Sequence, residues 1–141
     1  MRAFITLGDP MIYSTFGYIY KRLKNDDFDI EIIPGITSFC EIAAKTGTIL
    51  AEGDEILRIV PAVAGKVEID DALGSRNSLV LMKVSRNFSS LVEELRKSDR
   101  ARDAVLVSRS GLDEQLILRD LSRTEIEKVN YLSTIVSCRE N

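Results

Sequence analysis

Apolar and polar positions follow two different periods along this chain, and the changes of period mark its elements. Arg2 to Leu7 is a short apolar run that predicts a buried strand, closed by Gly8-Asp9-Pro10. Ile12, Phe16, Ile19, Tyr20 and Leu23 then recur every three or four residues, the single apolar face of a helix that ends at Asn25-Asp26-Asp27. Asp29 to Ile33 predicts a second strand, closed by Pro34-Gly35. A second helix runs through Phe39, Ile42, Ala43 and Ala44 and stops near Gly47. Strand, helix, strand, helix, each strand ending in Gly or Pro, is the order of a mostly parallel sheet.

The segment 48–54 has no strong period and contains Gly53, which predicts a connector. Strands are expected at 55–60 and 78–84, with a short helix at 67–73 stopped by Gly74. Phe88, Leu91, Val92 and Leu95 mark an amphipathic helix. Strands at 104–107 and 115–119 flank a turn at Ser110-Gly111, and 132–138 closes the chain as a β-branched strand. The expectation is an α/β protein with a boundary near residue 52, dividing a first lobe, 1–52, from a second, 53–141.

Composition narrows the chemistry. The 141 residues include no histidine, which removes Ser-His-Asp and Cys-His catalysis and every His-ligated metal site. A net charge of −3 gives no general attraction for nucleic acid. The two cysteines, Cys40 and Cys138, match no metal spacing, so no metal is expected. Cys40 lies in an apolar run and is expected to pack as a small buried hydrophobe. No apolar stretch approaches the ~20 residues of a membrane span, and the start lacks a signal-peptide layout. A cytoplasmic protein without membrane contact is the expectation.

Three places offer chemistry. Leu7-Gly8-Asp9-Pro10 joins a strand to a helix, where open α/β sheets bind ligands. Gly8 permits close backbone approach and Asp9 offers an acceptor, although taken alone the motif is more simply punctuation, with Asp9 capping the helix. Pro34-Gly35-Ile36-Thr37-Ser38 forms the equivalent next corner, with Thr37 and Ser38 either capping or binding. In the second half, Met82 ends a buried strand and Ser108-Arg109-Ser110-Gly111 follows another. Core packing and a hairpin turn are their plain alternatives. Arg86 and Arg109 follow strands expected to end on one edge, where they could meet an anion. Nothing here supplies an activated nucleophile with its base. The remaining chemistry is one that needs alignment more than acid–base side chains, such as methyl transfer from a sulfonium.

Taken together, the ordered segments LGDPMIYSTF, EIIPGITSF, AEGDEILRIVPA, LVLMKV and YLSTIV resemble the tetrapyrrole (corrin and porphyrin) methylases, in particular the C-20 methyltransferases of precorrin-2 or cobalt-precorrin-2. The resemblance covers nearly the whole chain. It implies a two-lobed α/β fold with S-adenosylmethionine as methyl donor in the cleft between lobes. Donor contacts would fall on Leu7, Gly8, Asp9, Ile12, Thr37, Ser38, Met82 and Gly111, with Ile12 and Met82 meeting the adenosine. The acceptor is a polycarboxylate macrocycle, for which Arg86, Arg109 and Lys83 are the clamps implied; no catalytic base is assigned. Family members carry a further strand and glycine-rich loop ahead of the LGDP segment, so the first lobe is expected to be truncated and the mixed-sheet second lobe complete. Exposed apolar surface in such a lobe predicts a homo-oligomer, a dimer in the first instance, with residues 1–50 supplying much of the contact.

Overall fold

The computed structural model describes residues 2–138 and divides the chain into two compact units, Met1–Glu41 and Ile42–Asn141. The second unit is built on a five-stranded mixed sheet. Its strands are β1 (Leu57–Pro61), β2 (Ser78–Met82), β3 (Ala104–Ser108), β4 (Leu116–Arg119) and β5 (Ser133–Ser137), in the spatial order β1-β2-β5-β3-β4. β1 and β2 run parallel, joined through helix α3 (Lys66–Gly74), whereas β5 is antiparallel to both its neighbours, β2 and β3. β3 and β4 form the hairpin expected around Ser110-Gly111.

β2, β3 and β5 read as unbroken apolar or small runs because both faces of the sheet are covered. Leu79, Leu81, Leu106 and Ile135 pack on one face with Leu73 of α3 and Phe88, Leu91 and Leu95 of α4 (Phe88–Lys97). Val80, Val107 and Val136, pointing the other way, are buried as well. Arg100 is fully buried just beyond α4. Its Nε donates to the Leu73 carbonyl at 2.9 Å, and one Nη donates to the Asn77 carbonyl at 3.0 Å and to that of Ser75. That guanidinium ties the end of α3 to the entry of β2.

The first unit departs from the expectation. Segments 2–7 and 29–33, read as strands, form no sheet among the described residues. Two short strands without further neighbours are marginal, and neither segment finds a ladder partner. Phe4 instead rests on Phe16, ring centroids 5.6 Å apart, and Ile5, Leu7 and Ile33 are exposed. The first helix, α1 (Phe16–Leu23), also starts later than its apolar spacing suggested. Tyr13 sits at φ 51°, in the left-handed region, which interrupts any helix begun at Ile12. The Ser14 hydroxyl then accepts from the Phe16 N–H.

Helix α2 (Ser38–Thr46) has the predicted span and is followed by Gly47 at φ +67°. Its buried positions are Phe39, Ile42 and Thr46, a stripe that leaves Cys40 outside it. Cys40 is exposed, contrary to the expectation of a buried hydrophobe, because an apolar neighbourhood in sequence does not place a residue on the helix's inner face.

Candidate functional site

In the first unit the Gly8-Asp9-Pro10 corner and the Pro34-Gly35 corner meet. Gly8 adopts φ +73° at the LGDP corner, and a Cβ placed on Gly35 would collide with the Gly8 carbonyl, reaching 3.0 Å from its carbon and closer still to its oxygen. Asp9 locks the approach: one carboxylate oxygen accepts from the Met11 N–H at 2.8 Å and the other from the Gly35 N–H at 3.1 Å. Asp9 is therefore a cross-link between corners and not a cap of α1. Leu7 and Gly8 are exposed on this junction, and Ile12 follows it in a turn, 38% exposed.

Thr37 enters α2, its carbonyl accepting from the Glu41 N–H at 3.1 Å. The Thr37 Oγ1 itself is shielded from solvent with no hydrogen-bond partner among the described residues. It caps nothing, so the simpler of the two roles open to it is absent. Ser38 is half-buried as the first residue of the helix.

The second unit gathers its set on one edge of the sheet. β2 and β3 are both antiparallel to β5 and so parallel to each other, which brings their carboxyl ends to the same edge. Met82 pairs with Thr134 and Ser108 with Ser133, so the start of β5 lies between the two ends. Two strand spacings put those ends about 10 Å apart. Met82 is half-buried there, and Lys83 at φ 58° turns the chain into a short 3-10 turn, Val84–Arg86, that leaves Arg86 exposed.

The turn after β3 is tightly built. Arg109 (φ 53°) donates its N–H to the Leu132 carbonyl and its Nε to the Asp113 carbonyl, each at 2.8 Å. Arg109 thus braces its own loop, a role with no signature in the local sequence. Gly111 (φ 72°) donates to Gln115 Oε1 at 2.9 Å, and the same oxygen accepts from Lys45 Nζ at 2.7 Å. Gln115 and Lys45 are 70 residues apart, so no local pattern pointed to them. Ser110 Oγ, between Arg109 and Gly111, is a second buried hydroxyl without a partner among the described residues.

A sequence profile described as "Tetrapyrrole (Corrin/Porphyrin) Methylases" matches residues 2–124. The chain belongs to the tetrapyrrole methylase family. It is 34% identical over 134 residues to a cobalt-precorrin-2 C(20)-methyltransferase of Salmonella typhimurium, covering 94% of this chain and 56% of that protein. It is 30% identical over 134 residues to a precorrin-2 C(20)-methyltransferase of a Sinorhizobium species, covering 95% and 54%. The chain thus spans little more than half the length of these relatives. Among solved structures, a cobalt precorrin-4 methyltransferase superposes with a TM-score of 0.71 at 21% identity, over 93% of this chain and 61% of that one. A uroporphyrin-III C-methyl transferase from Thermus thermophilus, complexed with S-adenyl homocysteine, gives 0.65 at 18% identity, over 92% and 62%. These two likenesses establish the tetrapyrrole methylase fold.

The residues present fit a nucleoside donor of the kind a methylase uses. Each unit offers a corner with backbone at positive φ, Gly8 in one and Gly111 in the other. Each also holds a buried hydroxyl awaiting a partner, Thr37 and Ser110. A buried hydroxyl left unsatisfied is destabilising, and a polar ligand relieves it.

Proposed function

We propose that this chain is the portion of an S-adenosylmethionine-dependent C-methyltransferase that binds donor and acceptor, acting at C-20 of precorrin-2 or its cobalt form. The observation that carries this reading is its identity of 34% and 30% to two proteins bearing that name, across nearly all of its own length. The five ordered motifs and the two unsatisfied hydroxyls support it.

S-adenosylmethionine supplies a methyl group already activated on a sulfonium sulfur, so the protein's task is alignment. Leu7, Gly8, Asp9, Ile12, Thr37 and Ser38 in the first unit, with Met82 and Gly111 in the second, are the contacts proposed. Asp9 acts by holding Gly35 against Gly8, which sets the backbone that a donor meets. Thr37 Oγ1 supplies a hydrogen bond, and Met82 supplies an apolar face. Arg86 and Arg109 follow β2 and β3 on one sheet edge, where cations suit a polycarboxylate macrocycle.

Calorimetric titration with S-adenosylhomocysteine tests the reading, followed by methyl transfer to precorrin-2 and cobalt-precorrin-2. Asp9→Ala and Thr37→Val are each expected to weaken affinity several-fold. Unchanged binding in both variants would remove the first unit from the site. Binding without turnover would mark the chain as a donor-binding module and exclude catalysis by it alone.

A cytoplasmic homodimer joined through residues 1–50 is proposed with this function. Phe4, Ile5, Leu7, Phe28, Ile33 and Ile36, all more than half exposed, support it. A monomer by sedimentation at working concentration would exclude it.

A further inference from the structure

Asn87 does not do what its position ordinarily asks. It stands at the N-cap of α4, where an asparagine side chain accepts from an N–H of the first turn, yet it caps none. Its Nδ2 instead donates to the Ala62 carbonyl at 2.6 Å, across 25 positions. The Ala62 N–H donates in turn to the Met82 carbonyl at 2.7 Å, so both backbone groups of this buried alanine join the exit of β1 to the exit of β2. Between Met82 and Asn87 runs the short turn Val84–Arg86, whose own closure is a long bond, the Asn87 N–H to the Val84 carbonyl at 3.4 Å. Val84 and Phe88, on either side, are buried in the core. Arg86 between them is exposed and makes no hydrogen bond or ion pair among the described residues.

We propose that Asn87 is a positioning residue for Arg86, and that Arg86 receives a carboxylate of the acceptor. The inference rests on the acceptor reading above and adds to it the residue that sets where the guanidinium stands. A guanidinium meets a carboxylate best through two parallel N–H···O bonds, an arrangement that demands a fixed plane and approach. On a loose turn that geometry costs backbone as well as rotamer freedom at binding, whereas on a pinned turn only the side chain has to be ordered. The Asn87–Ala62 bond is the pin, because it ties the residue following Arg86 to the exit of the neighbouring strand. β1 and β2 run parallel with Pro61 opposite Met82, so the tie lies at the carboxyl edge of the sheet, the edge on which Arg86 follows β2.

The test titrates the whole chain with uroporphyrin III, a fluorescent tetrapyrrole octacarboxylate, and separately with S-adenosylhomocysteine. Arg86→Ala is expected to weaken uroporphyrin binding by about tenfold. Asn87→Ser keeps an uncharged residue favoured at the N-cap, but its side chain is one atom shorter and leaves the Ala62 carbonyl without this donor. It is expected to weaken uroporphyrin binding by about threefold while S-adenosylhomocysteine binds as to the wild type. The double variant should bind uroporphyrin no more weakly than Arg86→Ala alone, because the asparagine acts through the arginine. Wild-type uroporphyrin affinity in either single variant would overturn the inference, and so would losses that multiply in the double variant. An equal loss of both ligands in Asn87→Ser would reduce the residue to a support of the fold and overturn it likewise. No uroporphyrin binding by the wild-type chain would overturn the acceptor reading itself, and this inference with it, while the S-adenosylhomocysteine titration reports on the donor reading separately.

Discussion

Gly35 lies so near the Gly8 carbonyl that no side chain fits between them, and Asp9 bridges the same two corners through the Gly35 N–H. Gly35→Ala must therefore push the corners apart, because the obstruction is backbone and cannot rotate away. Overpacking of this kind destabilises by about 1–3 kcal/mol. The expected outcome is faster proteolytic cleavage within residues 2–37 and weaker S-adenosylhomocysteine binding. Gly17→Ala, where an added Cβ meets nothing within 4 Å, serves as the control and should leave binding unchanged and cleavage unchanged or slower, since alanine favours the helix.

Arg100 should be a stability residue with no part in ligand binding. Arg100→Met keeps much of the volume but leaves the carbonyls of Leu73, Ser75 and Asn77 without this donor. A loss of about 1–3 kcal/mol in urea unfolding is expected. Arg100→Lys should recover little, since one ammonium cannot reach carbonyls that the guanidinium serves from separate nitrogens. A variant as stable as wild type would show that the buried charge has no stabilising role.

Asp120 sets an acid-side dependence. The Ser122 hydroxyl, then the Ser122 N–H at 3.0 Å, hold its carboxyl below the usual carboxylate value. A depressed folded-state pKa contributes stability above the unfolded value and loses it as pH falls through the folded one. Asp120→Asn, which tolerates the φ of 57° at this position, should flatten that acid limb in thermal melts taken from neutral pH downward. An unaltered limb would assign the acid sensitivity to other carboxylates.

The cysteines should label at different rates. Burial, the largest influence, pushes the Cys138 thiol up, whereas Cys40 is exposed on α2. Thiol reagents at neutral pH are expected to modify Cys40 first, because the thiolate is the nucleophile and access is open. Cys40→Ser should abolish the fast phase, and comparable rates for the two would contradict the placement of α2.

The second unit was largely legible in the sequence. Its strands are short apolar runs bounded by Gly, Asn or Ser, and α4 carries a clean amphipathic period, so each element's pattern and its tertiary setting agree. Ends slipped by a residue or two, as at β2, where Lys83 at positive φ stops the strand before Val84. The first unit was not legible to the same degree. Segments 2–7 and 29–33 carry strand-like composition, but composition cannot provide a ladder partner. Of the candidate site, the corners at 7–9, 37–38, 82 and 111 came from their places at strand ends. The Gln115–Lys45 clamp and the bracing role of Arg109 had no local signature.

By itself the sequence determined the family, the α/β order of elements in the second unit and the turns proposed to meet a ligand, because periodicity and turn chemistry are properties of neighbouring residues. Only the tertiary structure decided which hydrogen bonds those turns consume. Asp9 bridges to Gly35, Gln115 takes the Gly111 N–H, and Thr37 and Ser110 are left buried and unpartnered. The Asp9–Gly35 bridge spans 26 positions and the Lys45–Gln115 contact 70, so both depend on distant groups arriving within about 3 Å, which is set by packing and not by local pattern.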